Sequence, residues 1–258
     1  MTNSYYILPS LNLDAILIFL QNLNPVWISF FIFIFSIVAL LTFFRFFGES
    51  GLLTYIALSA LIANIQALKA VQFPFFPEPI ALGTVVFTSI FLCSDVLNEF
   101  YGADSAKKGV QLSFCGYLMA TIILLLTAGY KPLPSSDLLM STAHTHIQAL
   151  FTPAPAIFCA SLIAYYTSQY IDIFCFRFLH KKTNGELLWL RTIVSTVIAV
   201  IWDNTLFAIL AWFVFAPNPY DITTIWYTYI VSIGIFRIIL SILYAPFIYL
   251  ARFIYKKT

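Results

Sequence analysis

Two charged residues stand where a lipid bilayer tolerates charge least. Asp203 and Arg237 each lie near the middle of an apolar run that is long enough to cross a membrane. A charge at that depth is costly unless it faces a partner or a water-filled cavity, so such residues are expected in a substrate or ion pathway. Both reach a similar depth from opposite sides, which permits an ion pair. Because desolvation offsets most of the Coulomb gain of a structural pair, we favour a gate or a substrate-responsive switch.

A stripe of polar residues follows one face of the third apolar run. Their three-and-four spacing places them on one side of a helix, ending at its cytoplasmic end. The stripe consists of Thr84, Thr88, Asp95, Asn98 and Glu99. Two carboxylates one turn apart repel each other unless a cation meets them, so a functional role for Asp95 and Glu99 is one interpretation. The alternative is a helix end that meets headgroup water beside Lys107 and Lys108.

The fifth apolar run carries a second stripe. It consists of Ser161, Tyr165, Ser168, Gln169, Asp172 and Phe176. Hydroxyl, amide, carboxylate and aromatic groups on one face can line a pocket for a planar polar molecule. The alternative is bonding between helices, which contributes about 1 kcal/mol or less per hydrogen bond. Asp172 is too costly for that role alone.

Membrane-spanning helices must position these residues. Hydrophobic residues make up 61% of the chain and charged residues 9%, with a mean hydropathy of +0.92, values far from those of soluble domains. A helix that rises ~1.5 Å per residue needs ~20 residues to cross a ~30 Å core. Seven segments are long enough, at approximately 26–47, 52–71, 80–100, 110–129, 150–174, 188–215 and 225–248. The sequence therefore predicts an all-α, polytopic transmembrane helix bundle that occupies residues 1–258 as a single membrane domain.

The placement of basic residues predicts the orientation. If the first span enters from outside, the cytoplasmic side receives most of the lysines and arginines, as the positive-inside rule requires. These are Arg45, Lys107, Lys108, Arg177, Lys181, Lys182, Arg191, Arg252, Lys256 and Lys257. The outside keeps Lys69 and Lys131. We expect the N-terminus outside and the C-terminus in the cytoplasm.

Two stretches outside the spans have their own patterns. Residues 11–23 fit a short helix at the outer surface. Residues 71–83 contain Pro74, Pro77 and Pro79, which interrupt helix formation. We interpret this second stretch as a plain connection, with a re-entrant gate as the alternative.

Other residues argue against enzyme or metal chemistry. The four cysteines fall inside predicted spans without metal-ligand spacing, so we interpret them as packing residues. His144 and His146 lie in the long outer connection, where we expect a solvated loop. Zinc-protease, serine-hydrolase, P-loop and dinucleotide motifs do not occur. We expect no enzyme activity, no metal and no cofactor.

A family resemblance rests on two blocks. Residues 94–108 read SDVLNEFYGADSAKK and resemble the D-x-x-x-E-x-Y-G signature of the queuosine precursor transporter family, also described as vitamin-uptake-type integral membrane proteins. Residues 161–207 are similar to that family's second block, in which an S-Q-x-x-D-x-x-x-F helix, a basic hairpin and a further D-x-x-x-F follow in this order. With Asn64 and Arg237, which are also similarly placed, the resemblance covers about residues 61–250.

The resemblance implies a six-helix core at residues 51–252 that imports 7-deazaguanine bases, with an N-terminal segment and one extra span at residues 1–50. Such a base presents N–H and NH2 groups beside a carbonyl, which suit carboxylates and amides, and a flat ring that suits aromatic side chains. The expected binding residues are Asp172, Asp203, Gln169, Asn64, Asp95, Glu99, Asn98, Tyr165, Ser168, Phe176, Phe207, Trp202, Arg237 and Arg191. Of these, Tyr165, Phe176, Phe207 and Trp202 supply the ring contacts. Asp95 or Glu99 meets an amine on the precursor.

This chain departs from the family pattern at two places. Ala199 and Val200 stand where the family often carries Ser-Gln, and Arg191 is followed by Thr192 and Ile193 instead of asparagines. The ligand is therefore open among queuine, its earlier precursors and related purines.

Our first hypothesis is an alternating-access importer in the bacterial inner membrane, which binds the base at a midplane site among the third, fifth, sixth and seventh spans. One alternative is a substrate-binding membrane subunit that needs a separate ATP-driven module, and another is a membrane protein without transport activity. The expected partners are a 7-deazaguanine base and membrane lipid, with no nucleic acid. Homodimer formation is left open.

Overall fold

A computed structural model of the protein describes residues 13–76, 78–131, 138–151, 155–216 and 218–255. These residues are almost entirely helical, which confirms the predicted all-α class. A short helix, α1 (Leu13–Asn22), precedes the long α2 (Pro25–Gln66). The sheet in the described residues is one antiparallel pair, β1 (Ala70–Val71) with β2 (Ile80–Ala81). The predicted surface helix at 11–23 corresponds to α1.

Helix α2 is a hairpin of two legs. Its 42 residues would extend about 63 Å as one rod, twice a hydrocarbon core. Gly48 interrupts it with φ 56° and ψ −131°, a conformation that residues with a side chain rarely adopt. Beyond the reversal, the Tyr55 hydroxyl donates to the Ser36 carbonyl at 3.1 Å, so the legs run side by side. The legs correspond to the predicted first and second spans, and the second ends at Gln66.

The other predicted spans also correspond to helices. They are α3 (Thr84–Phe100), α4 (Ala103–Ala128), α6 (Pro155–Lys182), α7 (Leu188–Ile209) and the last group, α8 (Ile222–Thr224), α9 (Ile233–Tyr244) and α10 (Phe247–Tyr255). Two π-helical segments, Leu210–Val214 and Ile225–Ser232, interrupt the sixth and seventh spans. Four stretches of the described chain are long and apolar enough to cross a membrane, namely Pro25–Gln66, Ala103–Ala128, Leu188–Val214 and Ile222–Tyr255.

Helix α3 lies at the centre of the bundle. Most of its side chains are buried, including the polar residues from Thr84 to Asn98, and it packs against α2, α4, α6 and α9. The second leg of α2 approaches its start closely, since a side chain at Gly83 would overlap the carbonyl oxygen of Ala63. This contact follows from the small residues of that leg and brings Asn64 beside α3.

One of the two outer connections differs from expectation. The solvated loop predicted around His144 and His146 is wrong, because both residues lie on α5 (Leu138–Phe151). The two ends of the proline-rich stretch form a short antiparallel pair, in which Ala70 pairs with Ala81 and Val71 with Ile80. The backbone pairing between its two ends turns the chain from α2 into α3.

Candidate functional site

Asp203 and Arg237 form an ion pair. Oδ2 of Asp203 lies 2.6 Å from Nη1 of Arg237, and the two side chains are 6% and 8% exposed. Ser168 on α6 donates to Oδ1 of Asp203 at 3.1 Å. The guanidinium of Arg237 also stacks on Phe87, 4.9 Å from the ring centre. The predicted ion pair is confirmed, and it joins α7 to α9 with support from α3 and α6.

This ion pair forms part of the wall of a cavity of about 1060 Å³. The lining comes from the end of α2, the start of α3, the β-strand connection, the helix that carries His146, α6, α7, the π-helical segments and α9. Most of these parts were predicted near the outer side. Of the expected binding residues, Asn64, Asp203, Phe207 and Arg237 line it. The volume exceeds that of a flat bicyclic base several times and falls near the upper end for small-molecule sites.

An amide and a hydroxyl also line the cavity. Ser161 donates to Oδ1 of Asn64 at 2.6 Å, and Nδ2 of Asn64 donates to the Ala60 carbonyl at 2.8 Å. These bonds join α2 to α6 and fix the orientation of the amide. Asn64 is thereby pre-organised at the cavity.

Sequence reasoning missed the aromatic part of the wall. Trp212 and Tyr229 stack with ring centres 4.9 Å apart at an interplanar angle of 30°, and both line the cavity with Phe87. Trp212 and Tyr229 lie on the two π-helical segments, a helix type that is rare and frequent at functional sites. Asn204 donates to the carbonyls of Tyr229 and Ile230 at 3.1 and 2.7 Å and so holds the second segment. The signal in the sequence that could have pointed to this part of the wall was the position of Asn204 next to Asp203.

Four expected residues are sealed away from the cavity. Asp95 and Asn98 on α3 and Gln169 and Asp172 on α6 are 0% exposed. Asn98 donates to the Ile173 carbonyl at 3.3 Å, and Thr196 donates to Oδ1 of Asp172 at 3.5 Å. Both oxygens of Asp95, Oδ2 of Asp172 and both amide atoms of Gln169 have no hydrogen-bond partner among the described residues. The structure thus separates these groups from Asp203.

A second ion pair lies near the predicted cytoplasmic ends of the helices. Arg191 is 0% exposed, its Nη1 lies 3.0 Å from Oε2 of Glu99, and its Nη2 donates to Oε1 at 3.1 Å. Nη1 also contacts Nδ1 of His180, and the guanidinium lies 5.0 Å from the ring centre of Phe176. Partial burial, followed by the nearby Arg191 charge, holds the pKa of His180 below its ordinary value.

Three of the four expected ring contacts, Trp202, Phe176 and Tyr165, do not line the cavity. Trp202 is 47% exposed and donates to Thr167 at 3.0 Å, because adjacent positions on α7 turn it away from the face of Asp203. Phe176 does not reach the cavity, since Arg191 occupies its face. Tyr165 is buried behind Phe87, with its hydroxyl 2.5 Å from that of Ser113.

Comparisons with known proteins match this chain to membrane transporters. The family model described as "Putative vitamin uptake transporter" matches residues 81–251. A protein of Bacillus subtilis (strain 168), named "Probable queuosine precursor transporter", is 30% identical over 230 residues, which cover 89% of this chain and 94% of that protein. The second match is longer than the predicted core at 51–252, so it extends into the flanking residues. No solved structure matches this chain.

Proposed function

This chain belongs to the putative vitamin uptake transporter family, and we propose that it imports 7-deazaguanine precursors of queuosine, such as queuine. It is a multi-pass membrane protein. The proposal places it in the bacterial inner membrane with the N-terminus outside and the C-terminus in the cytoplasm. One observation carries the proposal: the cavity that combines the Asp203–Arg237 pair with an oriented amide and aromatic side chains.

The chemistry of the wall matches a flat base with adjacent donors and acceptors. Donors on the pyrimidine part of the base suit the carboxylate of Asp203, and its carbonyl suits the guanidinium of Arg237. Asn64 supplies an amide across the cavity, and Phe207 supplies ring contact area. The aromatic wall at Trp212 and Tyr229 takes the stacking role that we first expected from Trp202.

Binding of the base has to compete with the ion pair, because Arg237 and Ser168 already occupy the oxygens of Asp203. A base that inserts between Asp203 and Arg237 replaces one contact with two. Insertion of the base thereby breaks the ion pair and allows α7 and α9 to move apart. This is the substrate-responsive switch that the depth of the two residues suggested.

Two ion pairs lie on opposite sides of the sealed polar groups of α3 and α6. Asp203–Arg237 borders the cavity, and Glu99–Arg191 joins α3 to α7 near the other ends of these helices. In an alternating-access cycle, the first pair opens toward the outside and the second toward the cytoplasm. The described conformation, with one cavity beside the first pair and a closed second pair, fits an outward-facing state.

Uptake of labelled queuine into cells that depend on salvage tests this proposal. Loss of a hydrogen bond to a charged group costs about 1.5–3 kcal/mol, so we expect Asp203→Asn and Asn64→Ala to lower uptake about tenfold or more at equal membrane abundance. Asp104→Asn is the matched control, since Asp104 is 93% exposed. Unchanged uptake in both cavity variants would refute the site.

Purified protein in proteoliposomes tests the transport mode. Flux of the base by this chain alone identifies a self-sufficient importer. Binding without flux would instead identify a substrate-binding subunit that requires an ATP-driven module.

A further inference from the structure

The bundle contains a second polar site that the cavity does not reach. We call it the buried oxygen cluster; it consists of Ser94, Asp95, Asn98, Gln169, Asp172 and Thr192. Each of these side chains is at most 3% exposed, and Asp95, Asn98, Gln169 and Asp172 each have at least one oxygen without a hydrogen-bond partner in the described part of the chain. Buried polar atoms nearly always have a hydrogen-bond partner, so a group of unpaired buried oxygens indicates a binding site for a ligand.

Three helices bring the cluster together. Asp95 and Asp172 lie within electrostatic reach of each other across α3 and α6, and Thr192 on α7 faces Asp95. Gln169 precedes Asp172 by three residues and therefore shares its face of α6. The bond from Asn98 to the Ile173 carbonyl holds α3 against α6 at the same level. The buried, unpaired amide of Gln169 therefore lies on the same face of α6 as the carboxylate of Asp172.

The charge of the cluster is not balanced by its neighbours. Glu99 and Arg191 also act on Asp95, but both terminal nitrogens of Arg191 are engaged with Glu99 and His180. The remaining groups that face Asp172 are neutral, namely the hydroxyls of Ser195 and Thr196 and the thiol of Cys175. On α9, Arg237 is engaged with Asp203. Two carboxylates in a sealed interior therefore need a further positive charge.

We propose that the buried oxygen cluster takes up a monovalent cation, a proton or Na⁺, whose movement is coupled to that of the base. This inference rests on the proposed function. Two facing carboxylates can share one proton, and carboxylate, amide and hydroxyl oxygens are also ligands for a hard cation. A transition metal is disfavoured, because the described residues contain no group of three or more His, Cys, Asp or Glu side chains that could hold a metal ion.

Helix α6 connects the cluster to the cavity. Ser168 holds Asp203, and the next residue, Gln169, belongs to the cluster. A cation that draws Asp172 and Gln169 toward α3 therefore acts on the same turn of α6 that supports the Asp203–Arg237 pair. Occupation of the cluster and opening of the cavity are coupled through this turn.

The test uses purified full-length protein in proteoliposomes with the membrane potential clamped. Uptake of labelled queuine is measured under an inward proton gradient, under an inward Na⁺ gradient and without a gradient. With one cation per base, a tenfold gradient of the coupling cation supports about tenfold accumulation. Counterflow, the exchange of labelled for unlabelled base, reports binding and translocation without a gradient.

We expect wild-type protein to accumulate the base with one of the two gradients, which identifies the cation. Asp172→Asn and Asp95→Asn should keep counterflow but accumulate no base beyond equilibration, because a neutral amide cannot hold the cation. Asp104→Asn should behave as wild type. The melting temperature of each purified variant checks that it is folded. If one variant does not fold, the other still tests the inference.

Three results would overturn the inference. Wild-type counterflow without accumulation under either gradient would exclude coupling while leaving the proposed function intact. Loss of counterflow in folded Asp172→Asn and Asp95→Asn would assign the cluster to the base itself. Absence of wild-type counterflow would refute the proposed function together with this inference.

Discussion

Ser168 on α6 donates its hydroxyl hydrogen to Oδ1 of Asp203 on α7 across 3.1 Å. This bond leaves Oδ2 free for Arg237 and sets the rotamer of the carboxylate. It also marks the boundary between the cavity and the sealed interior. The polar stripe of α6, which the sequence presents as one surface, is therefore divided between two sites.

Removal of that bond should weaken the helix interface. Bonds between helices in membranes contribute about 1–2 kcal/mol at most, so Ser168→Ala should lower the melting temperature of purified protein measurably. Thr54→Ala is the control, because the exposed Thr54 hydroxyl bonds only within its own helix, to the Ser50 carbonyl. Equal melting of the two variants would show that the Ser168 bond does not stabilise the α6–α7 interface.

The Glu99–Arg191 pair should show strong energetic coupling. Breaking a buried pair from one side costs about 3–5 kcal/mol, because an uncompensated charge remains. We expect Arg191→Met to reduce folded protein in the membrane and the double variant Arg191→Met/Glu99→Gln to recover part of it. A double-mutant cycle based on chemical unfolding measures the coupling. Additive effects would contradict the pairing.

Aromatic contacts with the base should come from the cavity wall and not from the outer face of α7. Phe207→Ala removes ring area from the cavity, so we expect a several-fold rise in the KM of uptake. Trp202→Ala removes an exposed ring and should leave KM unchanged. Saturation curves of labelled queuine uptake compare the two variants, and a larger effect of Trp202→Ala would place the base elsewhere.

Stability should rise with pH around His180. The pKa of His180 is lowered in the folded protein, and the unfolded chain has a histidine pKa of about 6.5, so the unfolded state binds more protons as the pH falls through this range. The folded protein loses stability on acidification until the pH lies below the folded pKa. Melting temperatures from about pH 8 to about pH 5 should fall more steeply for wild type than for His180→Gln. Identical pH profiles would contradict this assignment.

The sequence revealed those parts of the site that depend on depth and helix period. Asp203 and Arg237 were paired correctly because each lies at a definite distance along its run, and charge at that depth demands a partner. The helices themselves follow from the length and hydropathy of the apolar segments.

The missed features depend on packing and local backbone geometry. Trp202 was expected as a ring contact for the base, but adjacent helix positions point about 100° apart, so Trp202 does not share the face of Asp203. Trp212 and Tyr229 were overlooked because a π-helical turn changes which side chains share a face, and no residue pattern announces it. The separation of Asp172 from Asp203 depends on how α6 packs against α3 and α7, which the residue types along one helix do not specify.

The reversal at Gly48 affects how the protein reaches its folded state. Contacts between the two legs of α2, such as that between Tyr55 and Ser36, join residues close in the chain. Contacts of short sequence separation form quickly, and N-terminal units generally fold first during synthesis. This helical hairpin can therefore assemble while the ribosome is still adding the later helices, and it offers α3 and α4 a preformed surface on which to dock.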